Sequence, residues 1–229
     1  MGQITIRKLG NMDFFREIPK DTLQNLLNES KIVFYKKKEV IFHSRSRTKT
    51  VYFVYSGEVM LYNLTKHGNR KVIFILGKGR LLNQSIVSKK PNALFCEAAC
   101  PVQILEIAEE AFLHLMEQSH DLTRAVLREY ERNLWRMGHQ LKNTTGNMQM
   151  ERKIAAKLWK LGRDFGVDTE DGVMIDIDLT ITLMADLVGA PRENVSRACK
   201  VLTDRGLIRY GNKRFILTDS DGLAEFYKM

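Results

Sequence analysis

Two hydrophobic periods divide this chain. Residues 32–35, 40–42, 51–55, 59–62, 72–76 and 102–107 are short β-branched and aromatic runs separated by polar or glycine-containing turns. Such runs predict the strands of an antiparallel sandwich or roll. Ahead of them, Asn11 to Ser30 reads as one or two short helices, with Leu23, Leu26 and Leu27 on the apolar side and a break at Ile18-Pro19. After them the period becomes helical. Glu109 to Glu117 reads as a short helix, and Ser119 is placed to cap a long one that runs to about Met148. Along the long helix Leu127, Tyr130, Leu134, Met137, Leu141, Thr144 and Met148 are separated alternately by three and four residues, a heptad seam. A helix of about 30 residues spans roughly 45 Å, too long for one small domain to cover. The seam is therefore expected to pair with its copy in a second subunit, the competing reading being a helix packed wholly against its own sheet.

Asn143 to Asn147 is polar and contains Gly146, which weakens helix there and predicts a hinge. Ile154, Ala155, Leu158, Leu161 and Phe165 then form an amphipathic helix ended by Gly166, and Val173, Ile175 and Ile177 alternate as a strand. Thr180 offers an N-cap hydroxyl to a helix carrying Ile181, Met184, Ala185, Leu187 and Val188 on one side. Gly189-Ala190 breaks that helix, and Pro191 suits the first turn of the next. The small Ala185 lets the two helices approach across a short turn. In the second helix Val195, Ala198, Val201 and Leu202 make the expected buried stripe, with Arg192, Glu193, Ser196, Arg197 and Lys200 opposite. Two apolar runs flanking Gly211-Asn212 predict a closing hairpin.

The polar side of that second helix carries the chemistry. Arginine donates two parallel bonds to guanine O6 and N7, glutamate accepts from cytosine N4, and serine serves either partner. Arg192, Glu193, Ser196 and Arg197 cluster on the first two turns, the end that enters the major groove in helix-turn-helix proteins. From Ala190 to Arg214 seven Arg or Lys residues face two acids, Glu193 and Asp204, an excess suited to phosphate. Lys200, Lys213 and Arg214 are expected to meet the backbone, and Thr180 to sit beside it. Bare charge would fit an ordinary solvated helical hairpin. Turn, small residue, basic face and wing in that order favour nucleic acid.

Composition narrows the class further. The chain has 229 residues, 44% of them hydrophobic and 28% charged, with a net charge of +9, values typical of a folded, soluble protein of one large or two modest domains. A pI near 9.5 favours a polyanionic partner. No apolar run reaches the roughly 18 residues of a membrane span, and Met1 to Gly10 lacks a signal-peptide core, so a cytoplasmic location is expected. Cys96, Cys100 and Cys199 do not make a disulfide framework or a four-thiolate cluster. Cys96 and Cys100 fall in a strand-like stretch that would place both thiols on one face, where a buried structural role is expected over a redox one. No metal set, Gly-x-Ser-x-Gly elbow or phosphate loop is present, and no catalytic residue is assigned.

The segment Arg192-Glu193-x-x-Ser196-Arg197 resembles the recognition helix of the Crp/Fnr transcription regulators, which are bacterial DNA-binding proteins. The resemblance implies an α+β chain of three parts. These are an N-terminal antiparallel β-roll (a double-stranded β-helix) at residues 1–118, a long dimerisation helix and hinge at 119–148, and a C-terminal winged helix-turn-helix at 149–229. Tyr52-x-x-x-Ser56-Gly57-Glu58-Val59 is similar to the family's strand–glycine–strand corner, and His67-Gly68-Asn69 to its next hairpin. It also implies a homodimer on palindromic double-stranded DNA with TGTGA-like or TTGA-like half-sites, with RNA polymerase as a partner if the protein activates. In the family's cyclic-nucleotide cradle a glutamate holds the ribose and an arginine the cyclic phosphate. Here Asn83 and Gln84 fall at the Gly-Glu positions, and Asn92, Ala93 and Leu94 at Arg-Ser-Ala. Both charged contacts are missing, and a neutral Asn cannot make arginine's charge-assisted bond to a phosphate. The expected effector is thus an unknown small molecule other than cAMP, in a pocket near Arg80, Leu82, Asn83, Gln84, Asn92, Leu94 and His139. Arg80, Lys89 and Lys90 read as solvated loop charges, with an anion contact as the alternative. No cysteine precedes Cys96, which argues against the iron–sulfur sensing of some members, and the unpatterned histidines argue against haem. Other readings are a cupin-like ligand-binding protein or enzyme with an accessory DNA domain, and a constitutive DNA binder without an effector.

Overall fold

The computed structural model describes residues 5–144 and 148–228. Contacts divide the chain into two compact units, Met1–Asn63 with Phe74–Gly138, and Leu64–Ile73 with His139–Met229.

The first unit begins with α1 (Ile6–Gly10), a 3-10 turn at Asp13–Phe15 and α2 (Lys20–Asn28), which begins just after the Ile18-Pro19 break. The strands are β1 (Ser30–Tyr35), β2 (Val40–Phe42), β3 (Thr50–Ser56), β4 (Val59–Leu64), β5 (Arg70–Leu76), β6 (Phe95–Ala98) and β7 (Val102–Ala108). They form one sheet ordered β1-β7-β3 and another ordered β2-β6-β4-β5, with the described strand pairs antiparallel. Phe14, Phe15, Phe53 and Phe112 pack edge to face or tilted, with ring centroids 4.8 to 5.8 Å apart. They join Leu23, Leu26, Val51, Leu105 and Ile107 in one core. The turn from β3 to β4 needs glycine: Gly57 has φ +80°, and a Cβ there would lie 2.7 Å from the Pro101 carbonyl. Cys100 corrects the strand reading, because β6 ends at Ala98 and the thiols do not share a strand face. Cys96 is buried, whereas the half-buried Cys100 donates its S–H to Glu58 Oε2 at 2.9 Å. Burial, then that hydrogen bond, pushes the Cys100 thiol up to about 11.

The unit takes in α3 (Glu109–Gln118) and α4 (His120–Thr144) as far as Gly138, the residues of α4 from His139 belonging to the second unit. Ser119 Oγ accepts the Leu122 N–H at 3.3 Å, the cap expected of it. The apolar positions of α4 serve two purposes. Leu122, Ala125 and Val126 are buried in the core and Tyr130 packs against it, whereas Leu127 (56%), Leu134 (72%), Trp135 (59%), Met137 (50%) and Leu141 (67%) are exposed. Met148 lies outside α4, and Thr145, Gly146 and Asn147 of the hinge reading lie outside the described residues.

The second unit contains α5 (Met150–Phe165), β8 (Gly166–Thr169), β9 (Gly172–Ile175), α6 (Ile181–Val188), α7 (Arg192–Asp204), β10 (Ile208–Gly211), β11 (Arg214–Leu217) and α8 (Ser220–Lys228). The four strands form one sheet ordered β10-β11-β9-β8. The exposed β8 escapes the sequence reading because its Gly-Val-Asp-Thr has no buried face, and Ile177 lies beyond the strand expected to hold it. Ile154, Ala155, Leu158, Leu179, Met184, Val195, Ala198, Leu202, Phe215 and Leu223 are buried in this unit. Gly172 has φ +120°, and a Cβ there would meet the Leu217 carbonyl at 2.2 Å, so no other residue allows β9 to pass so close to β11.

Candidate nucleic-acid interface and effector loop

Thr180 opens α6 from an extended backbone, and its Oγ1 accepts the Leu183 N–H at 3.1 Å. This satisfies one of the donors that a helix start leaves without intrahelical partners. Gly189 closes α6 in the left-handed conformation at φ 70°, and its N–H and that of Ala190 both bond to the Ala185 carbonyl. Ala185 itself is buried, as its small size anticipates. Pro191 is the N-cap of α7, one residue ahead of the first-turn place expected of it.

Within α7, Val195, Ala198, Cys199 and Leu202 are buried, and Arg192, Glu193, Asn194, Ser196, Arg197 and Lys200 are exposed. Val201 is exposed, contrary to expectation, and Cys199 takes its place in the stripe. Successive residues stand about 100° apart around a helix, so tertiary packing decides which edge of a short stripe faces inward. The wing turn also shifts by one. Its central residues are Asn212 and Lys213, at φ 49° and 60°, the pair of positive angles of a type I′ turn. The Lys213 carbonyl accepts the Leu179 N–H at 2.7 Å, which holds the wing tip beside the start of α6.

Besides Arg197, which donates to Asn194, three of the seven basic residues between Ala190 and Arg214 are engaged inside the unit. Arg209 Nη2 lies 2.8 Å from Asp171 Oδ1, Arg214 pairs with Asp176, and Arg205 stacks over the Phe226 ring at 4.9 Å. Arg192, Lys200 and Lys213 have no ion-pair partner among the described residues. One exposed helix face therefore carries Arg192, Glu193, Ser196 and Arg197 with Lys200 beside them, over an apolar floor.

In the first unit, the residues assigned to an effector loop mostly hold its backbone. Asn83 Oδ1 accepts the Tyr52 N–H and Asn83 Nδ2 donates to the Thr50 carbonyl, both at 2.8 Å. Gln84 Oε1 accepts the consecutive N–H groups of Ala93 and Leu94, at 2.9 and 3.2 Å. Asn92 is 6% exposed and joins Arg45 and Ser46 through its backbone, at 2.7 and 2.9 Å. Leu82 is buried and Leu94 half-buried, while His139 is exposed in the second unit. Arg80 is not a solvated loop charge. Its Nε lies 2.9 Å from Glu129 Oε1 of α4, with both side chains largely buried. Asn92 brings no charge to this loop, Arg80 is paired with Glu129, and the two aligned N–H groups have an acceptor in Gln84.

A two-sheet roll, a long helix and a winged helix-turn-helix with this exposed face define a DNA-binding transcription regulator. Residues 32–119 match the cyclic nucleotide-binding domain family, and residues 152–226 match the Crp-like helix-turn-helix domain family. The chain belongs to the Crp/Fnr family. It is 23% identical over 217 residues to the CRP-like cAMP-activated global transcriptional regulator of Mycobacterium tuberculosis, covering 94% of this chain and 96% of that one. It is 23% identical over 183 residues to the global nitrogen regulator of Nostoc sp., covering 79% and 82%. A CooA variant from Carboxydothermus hydrogenoformans shares the fold with a TM-score of 0.76 at 18% identity, over 99% of this chain and 97% of that one. The c-di-GMP responsive regulator CLP of Xanthomonas campestris does so with a TM-score of 0.75 at 18% identity, over 88% and 100%. These relatives are transcription regulators, not enzymes. Among the described residues no helix is long and apolar enough to cross a membrane.

Proposed function

We propose that the protein is a homodimeric, effector-responsive bacterial transcription regulator acting in the cytoplasm, that it binds palindromic operators through α7, and that its effector is not cyclic AMP. The observation that carries this reading is the exposed row Arg192, Glu193, Ser196 and Arg197 above the buried Val195, Ala198 and Leu202. Arg192 and Arg197 read guanine, Glu193 a cytosine on the opposite strand, and Ser196 refines the choice. Lys200, Lys213 and Arg214 meet phosphate, Arg214 after exchanging Asp176 for the backbone.

Dimerisation is supported by Leu127, Leu134 and Leu141, spaced seven residues apart on α4 and all exposed in the single chain. Two recognition helices related by a two-fold axis then address half-sites about 34 Å apart. An effector in the roll raises operator affinity only by binding the DNA-competent dimer more tightly than the other form. RNA polymerase is the further partner if the protein activates.

Titration of labelled duplexes carrying palindromic TGTGA or TTGA half-sites tests the reading, with and without the small molecules that co-purify with the native protein. Preference for a palindrome over random duplex is expected, together with a dimer in solution. A monomer, or equal affinity for every duplex under all ligand conditions, would falsify it.

A further inference from the structure

Asn194 stands in the recognition row, exposed on the first turn of α7 beside the four residues whose types name bases. Its Oδ1 accepts a hydrogen bond from Arg197 Nη2 at 2.6 Å. A guanidinium only donates, so the amide must turn its oxygen toward it. We infer that Asn194 is a positioning residue for Arg197, holding the guanidinium in the pose that reads guanine and thereby setting base preference at the position Arg197 contacts. The inference rests on the assignment of α7 as the recognition helix.

Two alternatives account for the contact less well. Asparagine reads adenine by accepting through Oδ1 while donating through Nδ2. Here Oδ1 already accepts from Arg197, so to read adenine Asn194 would have to share that oxygen with the base while keeping the guanidinium. A purely stabilising role is also a poor account, because an exposed polar contact between neighbouring turns contributes little to folding. Arginine, by contrast, has a long side chain whose rotamer freedom must be surrendered when it grips a base. A contact that orders it in the free protein removes part of that loss before DNA arrives. The geometry leaves the reading edge available. Nη2 carries two hydrogens, one directed to Asn194, and the other can work with those on Nη1 to span O6 and N7.

The test measures affinity for an operator panel in which each half-site base pair is changed in turn, for the full chain and for Asn194→Ala, Asn194→Asp and Arg197→Ala. Asn194→Ala should weaken the best operator about tenfold, and should flatten preference at the same base pair that Arg197→Ala flattens. Melting temperature and affinity for random duplex should not change. In the double variant Asn194→Ala adds nothing to Arg197→Ala at that base pair. Asn194→Asp keeps the acceptor and should retain the preference, with affinity lowered evenly across the panel by its added negative charge. If Asn194→Ala leaves preference at the Arg197 base pair intact, or shifts it at a different one, Asn194 does not position Arg197. If Arg197→Ala itself alters no base preference, α7 does not read as assigned, which is a separate failure.

Discussion

Arg80 and Glu129 form an ion pair in the first unit, Nε to Oε1 at 2.9 Å, with side chains only 14% and 5% exposed. The pair ties the loop that follows β5 to α4, and Arg80 also reaches Asn133 of the same helix at 3.5 Å. Removing one member of a buried pair leaves the other charge without its compensation. Arg80→Met should therefore destabilise the protein by about 3 kcal/mol, read as a fall in melting temperature, and adding Glu129→Leu should recover most of the loss. A single variant that melts with the parent would show that the pair has no structural weight.

Glu129 also sets a pH dependence. Burial raises its carboxyl above the ordinary range, against the opposing pull of Arg80, Arg132 and Arg136. A raised folded-state value means that the native state holds the proton more tightly than the unfolded chain does. Relative to Glu129→Gln, the parent should then be most stable below the ordinary glutamate value of about 4.3, and should lose that advantage as pH rises through the folded value. Urea midpoints of both proteins between acid and neutral pH give the comparison. A difference that grows with pH would reverse the sign.

The loop closed by Gln84 should be ordered without nucleotide. Two consecutive N–H groups aimed at one oxygen make a small anion cradle, and here the oxygen belongs to Gln84. Calorimetry with cAMP should give no binding heat, and the amides of Ala93 and Leu94 should exchange slowly in the free protein and faster in Gln84→Ala. Micromolar cAMP binding by the unaltered chain would contradict this account.

Arg192 and Lys200 should fail differently. Arg192→Ala should cost about 1 to 3 kcal/mol at the specific operator and relax preference at one base pair. Lys200→Ala should weaken specific and random duplexes alike, and reduce the slope of log affinity against log salt by about one. Anisotropy titrations across a salt series separate the two, and identical salt slopes for parent and Lys200→Ala would remove Lys200 from the phosphate contacts.

Leu134 is 72% exposed in the single chain, so a charge there should not disturb the subunit itself. Leu134→Glu is expected to sediment as a folded monomer and to lose palindrome binding. A dimer unaffected by that change would place the subunit contact elsewhere.

The wing, the capped α6 and most of the strands were legible because each has a local cause: Thr180 caps, Gly189 adopts a positive φ, and alternating Val, Ile and Phe mark strands. β8 was not legible, since Gly166–Thr169 is exposed throughout and pairs with β9 without an apolar signal. Trp135 escaped the heptad count because it is out of phase with the seam, and only the burial of Leu122, Ala125 and Val126 shows that it shares the open side of α4. Tyr130 fits the heptad equally well, yet it packs against its own core, where burial pushes its hydroxyl up to about 12.

By itself the amino-acid order determined the succession of strands, long helix and helix-turn-helix and the types of residue on its polar face, because periodicity, caps and turn residues act over a few positions. Tertiary structure alone decided that Arg80 meets Glu129, that Gln84 fills the cradle of Ala93 and Leu94, that Cys199 rather than Val201 faces inward, and that Arg197 leans on Asn194. The physical reason is that charges, amides and thiols take their roles from whatever folding brings within a few ångströms, and a local pattern records which groups are present but not which of them meet.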